Sequence, residues 1–215
     1  MSQEQHSTSS PGPVGSSQGP AQLLAYVDES MPFHADGKTA YYYIAAAIIA
    51  DNRCNEVRAA LRPLPQRALG RIHWRQENPR DKELIIKTIS SAQVESVIVV
   101  GTMSDPRNQE RARQLVMKQM LWQLDQRAVS EVTLESRGTN RDGFDLRTIG
   151  QFRQAQIVSR RLTVGHARAL QEPLLWVPDA VAGAAGDLRC GRTPQAQEIY
   201  KMLAPLVEHF DLGTI

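Results

Sequence analysis

Two apolar runs near the start of the chain predict a pair of buried β-strands, and they constrain the fold more than any other feature. Leu23 to Val27 is short and continuous, and Thr39 to Ala50 is rich in aromatic and β-branched residues. The proline, aspartate and glycine between the two runs suit a hairpin-like connection. Because strands of this kind offer no polar face to water, we expect helices to cover them on both sides.

Strand and helix patterns alternate along the rest of the chain. Further strands are predicted at Glu95–Met103, Glu131–Glu135 and Arg161–Ala169. Helical patterns are predicted at Asn52–Leu61, from Pro79 onward, and at Pro106–Ala128, Phe144–Ile157, Pro178–Ala185 and Pro194–His209. A hairpin followed by this alternation is typical of an α/β fold, here with a mixed sheet of about five strands flanked by helices.

Composition limits the classes of protein that the 215 residues can form. Residues 1–20 are mostly Ser, Gln, Gly and Pro, so we expect a disordered tail before a single domain at 21–215. The two cysteines, Cys54 and Cys190, are too few for a thiolate metal cage. No apolar run reaches the roughly 18 residues of a membrane span and no secretory signal is visible, which indicates a cytoplasmic protein without a membrane partner.

Three acidic residues occupy positions where apolar segments begin or end. Asp28 follows the first strand, Glu135 ends the fourth, and Asp179 begins a helix of small residues. Each has an ordinary structural explanation: a turn-starting aspartate, a rim residue paired with a nearby arginine, and a first-turn aspartate favoured by the helix dipole. Together they favour one site, because the carboxyl ends of neighbouring parallel strands meet at one edge of an α/β sheet.

A cluster of these carboxylates would need a cation. Like charges held close together raise one another's pKa unless a cation lies between them. Hard divalent ions such as magnesium take oxygen ligands, and two such ions can activate a water and stabilise the leaving oxygen in phosphodiester hydrolysis. The spacing therefore favours metal-assisted chemistry on phosphate esters.

The same segments resemble a known family. Ala25–Ser30, which closes on Asp-Glu-Ser, and the apolar strand Tyr41–Ala50 are similar to the opening of the bacterial domain of unknown function 3800 family. Near the C-terminus the family carries an aspartate in a helix of small apolar residues, as at Leu174–Gly186 here. Trp176 stands where the family often has glutamine. The resemblance spans about Leu23 to Leu188 and implies a ribonuclease H-like fold.

Members of that fold hold two divalent metals with acids on the first strand, a later strand and the final helix. Carried over, the resemblance implies Asp28, Glu135 and Asp179 as catalytic metal ligands, with Glu29 in support and Mg²⁺ or Mn²⁺ as the ion. Adjacent side chains of a strand point to opposite faces, so Asp28 is expected to be the direct ligand of the acidic pair.

Two assignments stay open from the residues alone. Asp142 or Asp145 could replace Glu135 as the middle acid, because no strong motif surrounds that position. His73 could orient a water or contact a scissile phosphate, although a loop histidine bonded to backbone is the more common role.

Three arginines near candidate loops, Arg75, Arg137 and Arg141, are predicted to bind nucleic acid, because guanidinium groups fit phosphate oxygens. Solvated arginines that neutralise nearby acids would produce the same pattern. The leading hypothesis is a metal-dependent nuclease. The alternative is a non-catalytic nucleic-acid- or partner-binding module of the same fold, for which the small net charge of +2 leaves room.

Overall fold

The computed structural model describes residues 21–33, 39–66, 70–103 and 105–215, so the predicted tail at 1–20 lies outside the described residues. The strands are β1 (Leu23–Ser30), β2 (Ala40–Ala50), β3 (Glu95–Met103), β4 (Val129–Glu135), β5 (Thr163–Ala167) and β6 (Val207–Thr214). The α-helices are α1 (Cys54–Leu61), α2 (Pro79–Ser91), α3 (Gln109–Gln126), α4 (Thr139–Gln154), α5 (Trp176–Arg189) and α6 (Ala196–Lys201).

The strands form one mixed sheet with the order β5-β4-β1-β2-β3-β6. Strand β1 is antiparallel to β2 and parallel to β4, while β2 and β3 continue the antiparallel half. Strand β5 lies parallel to β4, and β6 parallel to β3. The predicted α/β class with a mixed sheet flanked by helices is therefore confirmed. The described residues form six strands, one more than predicted. In this part of the chain, no helix combines the length and the apolar character that crossing a membrane requires.

Two apolar layers cover the faces of the sheet. Alternation along β1 places Tyr26 in one layer and Ala25 and Val27 in the other. The first layer is built with α1, α2, α5 and α6, and the second with α3 and α4. Because both faces of the central strands are buried, their sequences are apolar along most of their length.

The last helical prediction was wrong over its second half. Helix α6 ends at Lys201, and Val207–Thr214 forms β6 instead of the end of a helix that runs to His209. Strand β6 pairs with β3, whose edge would otherwise expose unpaired N–H and C=O groups. Only Phe210 and Leu212 of this strand pack against the second layer, so its local sequence carries a weak strand pattern.

Two boundaries near the candidate acids also differ from prediction. Strand β1 continues to Ser30, so Asp28 lies within the strand and is still paired with β2. Helix α4 begins at Thr139 instead of Phe144, directly after Gly138, whose φ is 99°. A glycine tolerates this left-handed backbone without strain, and it lets the chain turn sharply from β4 into the helix.

Candidate metal centre

Two neighbouring strands deliver two of the predicted acids to the same point of the sheet edge. Strands β1 and β4 run parallel with Val27 opposite Leu134, so Asp28 and Glu135 come next on their respective strands. The two carboxyl groups lie close enough for Glu135 to raise the pKa of Asp28. The two acids thus emerge side by side where β4 ends, at the edge where α/β sheets bind ligands.

The third acid, Asp179, reaches the same point from the first turn of α5. Pro178 is tolerated beside it because a first-turn residue needs no intrahelical N–H donor. The helix packs on β1 and β2 through small buried residues, among them Ala182 and Gly183. The Asp179 carboxylate repels that of Asp28 strongly enough to be the largest charge effect on the pKa of Asp28.

Asp28 is the member of this trio that interacts with both others. Its side chain is buried, and burial followed by the charges of Asp179 and Glu135 raises its pKa well above the usual range. The backbone N–H of Glu29 donates to it at 2.7 Å. Within the described ranges, Asp28 forms no ion pair with a lysine, arginine or histidine; the nearby pairs use Glu135 and Asp179 instead. A divalent cation would relieve the repulsion among three carboxylates of which one is buried. The ligand atoms that the three acids offer are all oxygens, which hard cations prefer.

The two outer acids have cationic neighbours at the rim. One guanidinium nitrogen of Arg71 donates to Glu135. His73 Nδ1 lies 3.5 Å from Asp179 Oδ2, and the hydrogen bond between them raises the pKa of His73. The centre of the site is thus acidic and buried, and two groups that can donate to phosphate oxygens stand at its rim.

Trp74 fixes the His73 segment to α5 at two points. Its backbone N–H donates to Asp179 at 2.8 Å, and its indole N–H donates to Asp187 at 2.8 Å. The Lys82 ammonium lies 2.8 Å from the same Asp187 oxygen and 4.6 Å from the indole centroid. Because Asp179 and Asp187 lie on one helix, these contacts hold the His73 backbone in a defined position beside the acids.

Gly183 lies between the two contacts and makes room for the indole ring. A Cβ at this position would lie 2.2 Å from Trp74 Cγ and Cδ1. We expect Gly183→Ala to displace Trp74 and to lower the free energy of unfolding by about 1–3 kcal/mol, although alanine is the better helix former. Urea denaturation at an unchanged m value measures this loss.

Gly150→Ala is the matched control for that substitution. Gly150 also lies inside a helix, α4, but a Cβ there meets no atom within 4 Å. Alanine at this position should stabilise the protein by up to about 1 kcal/mol. Equal changes in stability at Gly183 and Gly150 would contradict the proposed close approach of Trp74 to α5.

Glu29 belongs to a second cluster, on the opposite face of the sheet. It accepts hydrogen bonds from Tyr42 Oη at 2.5 Å and from Arg113 Nε at 2.8 Å. The buried Arg113 also donates to both oxygens of Asp145, at 2.6 and 2.8 Å. Arg137 pairs with Glu29 and Asp145, each at 3.2 Å. We call these five residues the arginine cluster; its two guanidinium groups neutralise the Glu29 carboxylate.

A group of Asp142, Asp145 and His166 adjoins the arginine cluster, with one ligand atom of each within 4.8 Å of the others. Asp145 already binds the guanidinium groups of Arg113 and Arg137. A dication at this point would therefore face two fixed positive charges. We interpret the group as part of a structural ion-pair network, and Glu135 is left as the acid beside Asp28.

The three acids of the candidate centre are spaced more widely than that group. In the described part of the chain, no choice of one carboxylate oxygen each from Asp28, Glu135 and Asp179 places all three within 4.8 Å of one another. Asp28, Glu135 and Asp179 would hold the ions of a two-ion centre, and Asp28, which interacts with both other acids, would be the shared ligand.

Asp28→Asn should stabilise the protein in EDTA at neutral pH. The raised pKa of Asp28 means that the folded state binds its proton more tightly than the unfolded chain does, so stability falls as pH rises from about 3.9 to the folded-state pKa. An asparagine amide is neutral at every pH. We expect the free energy of unfolding to rise by about 0.5–2 kcal/mol. Each kcal/mol should raise the Tm by roughly 2–4 °C in a protein of this size.

Thermal unfolding near pH 4 and near pH 8 measures this effect, with the variant's advantage largest at the higher pH. Asp51→Asn is the control, because Asp51 is exposed and its carboxylate contacts the N–H of the next residue. If the Tm of Asp28→Asn were below that of the wild type at both pH values, the Asp28 carboxylate would not be destabilising in the metal-free protein, which would contradict this account.

The three predicted arginines lie in different surroundings. Arg75 lines a cleft beside Asp179 and donates to the Met31 carbonyl at 2.8 Å. The guanidinium of Arg137 pairs with Glu29 and Asp145 in the arginine cluster. Arg141 is exposed in the first turn of α4.

Sequence analysis assigned no site role to Arg71 or Asp187. Asp187 lies eight residues after Asp179, about two helical turns, so a shared helix face was a usable signal. Nothing in the sequence pairs Arg71 with Glu135, which follows 64 residues later. That contact exists only because the loop before α2 crosses the end of β4.

Comparison of the sequence with protein-family models and with curated protein sequences finds no match.

Proposed function

We propose that the protein is a divalent-metal-dependent nuclease that hydrolyses phosphodiester bonds of nucleic acid at Asp28, Glu135 and Asp179, with Mg²⁺ or Mn²⁺ as cofactor. The observation that carries the proposal is the buried Asp28 carboxyl, held between two further carboxylates without a cation partner in the described residues. Carboxylates on adjacent parallel strands and on a facing helix suit two hard cations.

The positions of the acids also support a ribonuclease H-like fold and membership of the domain of unknown function 3800 family. They lie on the first strand, on a later strand and on a helix near the C-terminus, as that resemblance implies. Trp176, which stands where the family often has glutamine, is buried and donates its indole N–H to the Ala169 carbonyl at 2.7 Å. That departure therefore has a packing role here and leaves the acids in place.

Asp28, Glu135 and Asp179 would hold the divalent ions, which would supply an activated water and neutralise charge on the leaving oxygen. The chain itself contributes the oxygen ligands and fixes their separation through β1, β4 and α5. At the rim, Arg71 and His73 can donate to the non-bridging oxygens of a substrate phosphate. The two contacts of Trp74 with α5 keep His73 in that position.

Incubation of the purified full chain with end-labelled DNA and RNA in EDTA, Mg²⁺ or Mn²⁺ tests the proposal. We expect cleavage only with a divalent ion, and none by Asp28→Asn protein purified in the same way, which controls for contaminating nucleases. If the protein binds nucleic acid but cleaves it in none of these conditions, the non-catalytic binding module is the correct function instead.

A further inference from the structure

A cleft of about 260 Å³ opens directly beside the candidate metal centre. Its lining includes His73 and Asp179, the carboxylates Glu29 and Asp187, and the side chains of Phe33, Arg75 and Arg192. The cleft therefore reaches the acids through Asp179, and the last three side chains have no part in the nuclease proposal.

Two exposed arginines of the cleft are available for a phosphate, because the carboxylates Glu29 and Asp187 beside them are paired with Arg113 and Lys82. The Arg75 guanidinium donates to a backbone carbonyl, so that contact leaves its positive charge uncompensated. Arg192 lies 3.7 Å from Asp187, a carboxylate that Lys82 already neutralises at 2.8 Å. Both arginines are exposed enough to turn toward a ligand. Two guanidinium groups next to a metal centre suit a phosphodiester backbone.

An aromatic side chain adds a second type of contact. Phe33 is 39% exposed although it is a large apolar residue, and it lines the same cleft as the arginines. Exposed aromatic rings combined with basic residues are the usual means of holding unpaired bases, because every base has a face that can stack.

The size of the cleft suits a single nucleotide. Pockets that enclose drug-sized ligands have volumes of about 300–1,000 Å³, so 260 Å³ holds roughly one nucleotide. A base can enter such a space only when it is unpaired and out of its stack. The charges, the aromatic ring and the volume therefore agree on a single-stranded ligand.

We propose that this cleft binds one unpaired nucleotide of a single-stranded nucleic acid, with Arg75 and Arg192 on the phosphates and Phe33 stacked on the base. The assignment rests on the proposed nuclease function, since it places the strand so that its next phosphate lies at Asp28 and Asp179. It makes the protein selective for single strands over duplexes of the same sequence.

Fluorescence anisotropy of labelled single-stranded and duplex oligonucleotides tests the assignment, with the full chain in Ca²⁺ and recovery of intact oligonucleotide as a check. The wild type should bind the single strand at least about tenfold more tightly than the duplex. The Arg75→Gln/Arg192→Gln double variant should lose at least about tenfold in affinity and about 1.4 from the slope of log K against log salt. Phe33→Leu should lose about fivefold or more.

Arg160→Gln/Arg161→Gln is the matched control for the charge change. Both residues are exposed and precede β5, which is parallel to β4. They therefore lie at the amino-terminal ends of these strands, whereas the acids lie at the carboxyl-terminal ends. This variant should bind within about twofold of the wild type after the same loss of two charges. Equal losses in the two double variants, or duplex binding as tight as single-strand binding, would overturn the assignment.

Cleavage assays separate this inference from the proposed function. If cleavage needs Asp28 but is unchanged by Arg75→Gln/Arg192→Gln, the nuclease proposal stands and the cleft assignment fails. If the single strand binds through Arg75 and Arg192 but is not cut in any divalent ion, the cleft assignment stands and the nuclease proposal fails.

Discussion

Asp28→Asn should reduce metal-dependent cleavage by about 1,000-fold or more, because metal ions supply several kcal/mol of transition-state stabilisation and each 1.36 kcal/mol is tenfold in rate. Asp28 interacts with both Glu135 and Asp179, so its loss weakens both proposed ion positions at once. The substitution preserves the shape of the side chain and its contact with Glu135. Single-turnover cleavage at saturating Mn²⁺ measures the chemical step directly.

Two variants with the same chemical change serve as controls for Asp28→Asn. Asp51→Asn alters an exposed carboxylate remote from the sheet edge. Asp142→Asn alters the rival group of Asp142, Asp145 and His166. Asp51→Asn should cleave within about threefold of the wild type, as surface substitutions away from a site do. Asp142 accepts hydrogen bonds from Ser136 and Arg137, close to Glu135, so Asp142→Asn should lose some activity but far less than Asp28→Asn. If Asp142→Asn lost activity while Asp28→Asn kept it, the metal centre would lie on the opposite face of the sheet.

Arg113→Met should lower the free energy of unfolding by about 3–5 kcal/mol, the usual loss when one partner of a buried ion pair is removed. Arg113 is 5% exposed and binds Glu29 and Asp145, whose side chain is 2% exposed. Methionine fills much of the same volume but leaves both carboxylates without their main partner. Urea denaturation of the purified full chain measures the loss through its midpoint.

Neutralising the carboxylates should recover part of that loss. In the triple variant Arg113→Met/Glu29→Gln/Asp145→Asn the carboxylates of the arginine cluster are neutral, so the penalty for burying them unpaired disappears. Arg137 alone keeps a charge without its ion-pair partners, so the recovery is partial. We expect the triple variant to be more stable than Arg113→Met alone. A loss below about 1 kcal/mol for Arg113→Met would mean that solvent already screens the cluster, as it does for surface pairs.

The part of the fold that follows from local patterns could be predicted. The run at β2 is apolar because both faces of the sheet are covered, and that burial leaves a continuous signal in the sequence. Strand β6 left a weaker signal, since it lies on the edge beside β3 and, of its eight residues, Val207, Phe210 and Leu212 are the ones that pack against the apolar layers. Its conformation is decided by pairing with a strand about 110 residues earlier, which no short window contains.

The candidate site likewise contains some contacts that the sequence predicts and others that depend on tertiary packing. Asp28 and Glu135 could be placed together because parallel neighbouring strands end at one edge, a consequence of α/β topology. The opposite orientation of Glu29 follows from strand alternation, but its partner Arg113 lies 84 residues away on α3. Arg71 and the two contacts of Trp74 likewise depend on tertiary packing, and their spacing in the sequence gives no indication of them.

Titration of the metal-free protein with Mn²⁺, followed by calorimetry or by the electron paramagnetic resonance signal of the free ion, tests the central claim most directly. It needs no substrate and no activity. We expect the wild type to bind two ions per chain. Binding should release protons even at pH values above the usual pKa range of aspartate, because the pKa of Asp28 is raised and the ligands must be ionised. Asp28→Asn should lose this binding and Asp142→Asn should retain it. Undiminished binding by Asp28→Asn would contradict a metal centre at Asp28, Glu135 and Asp179.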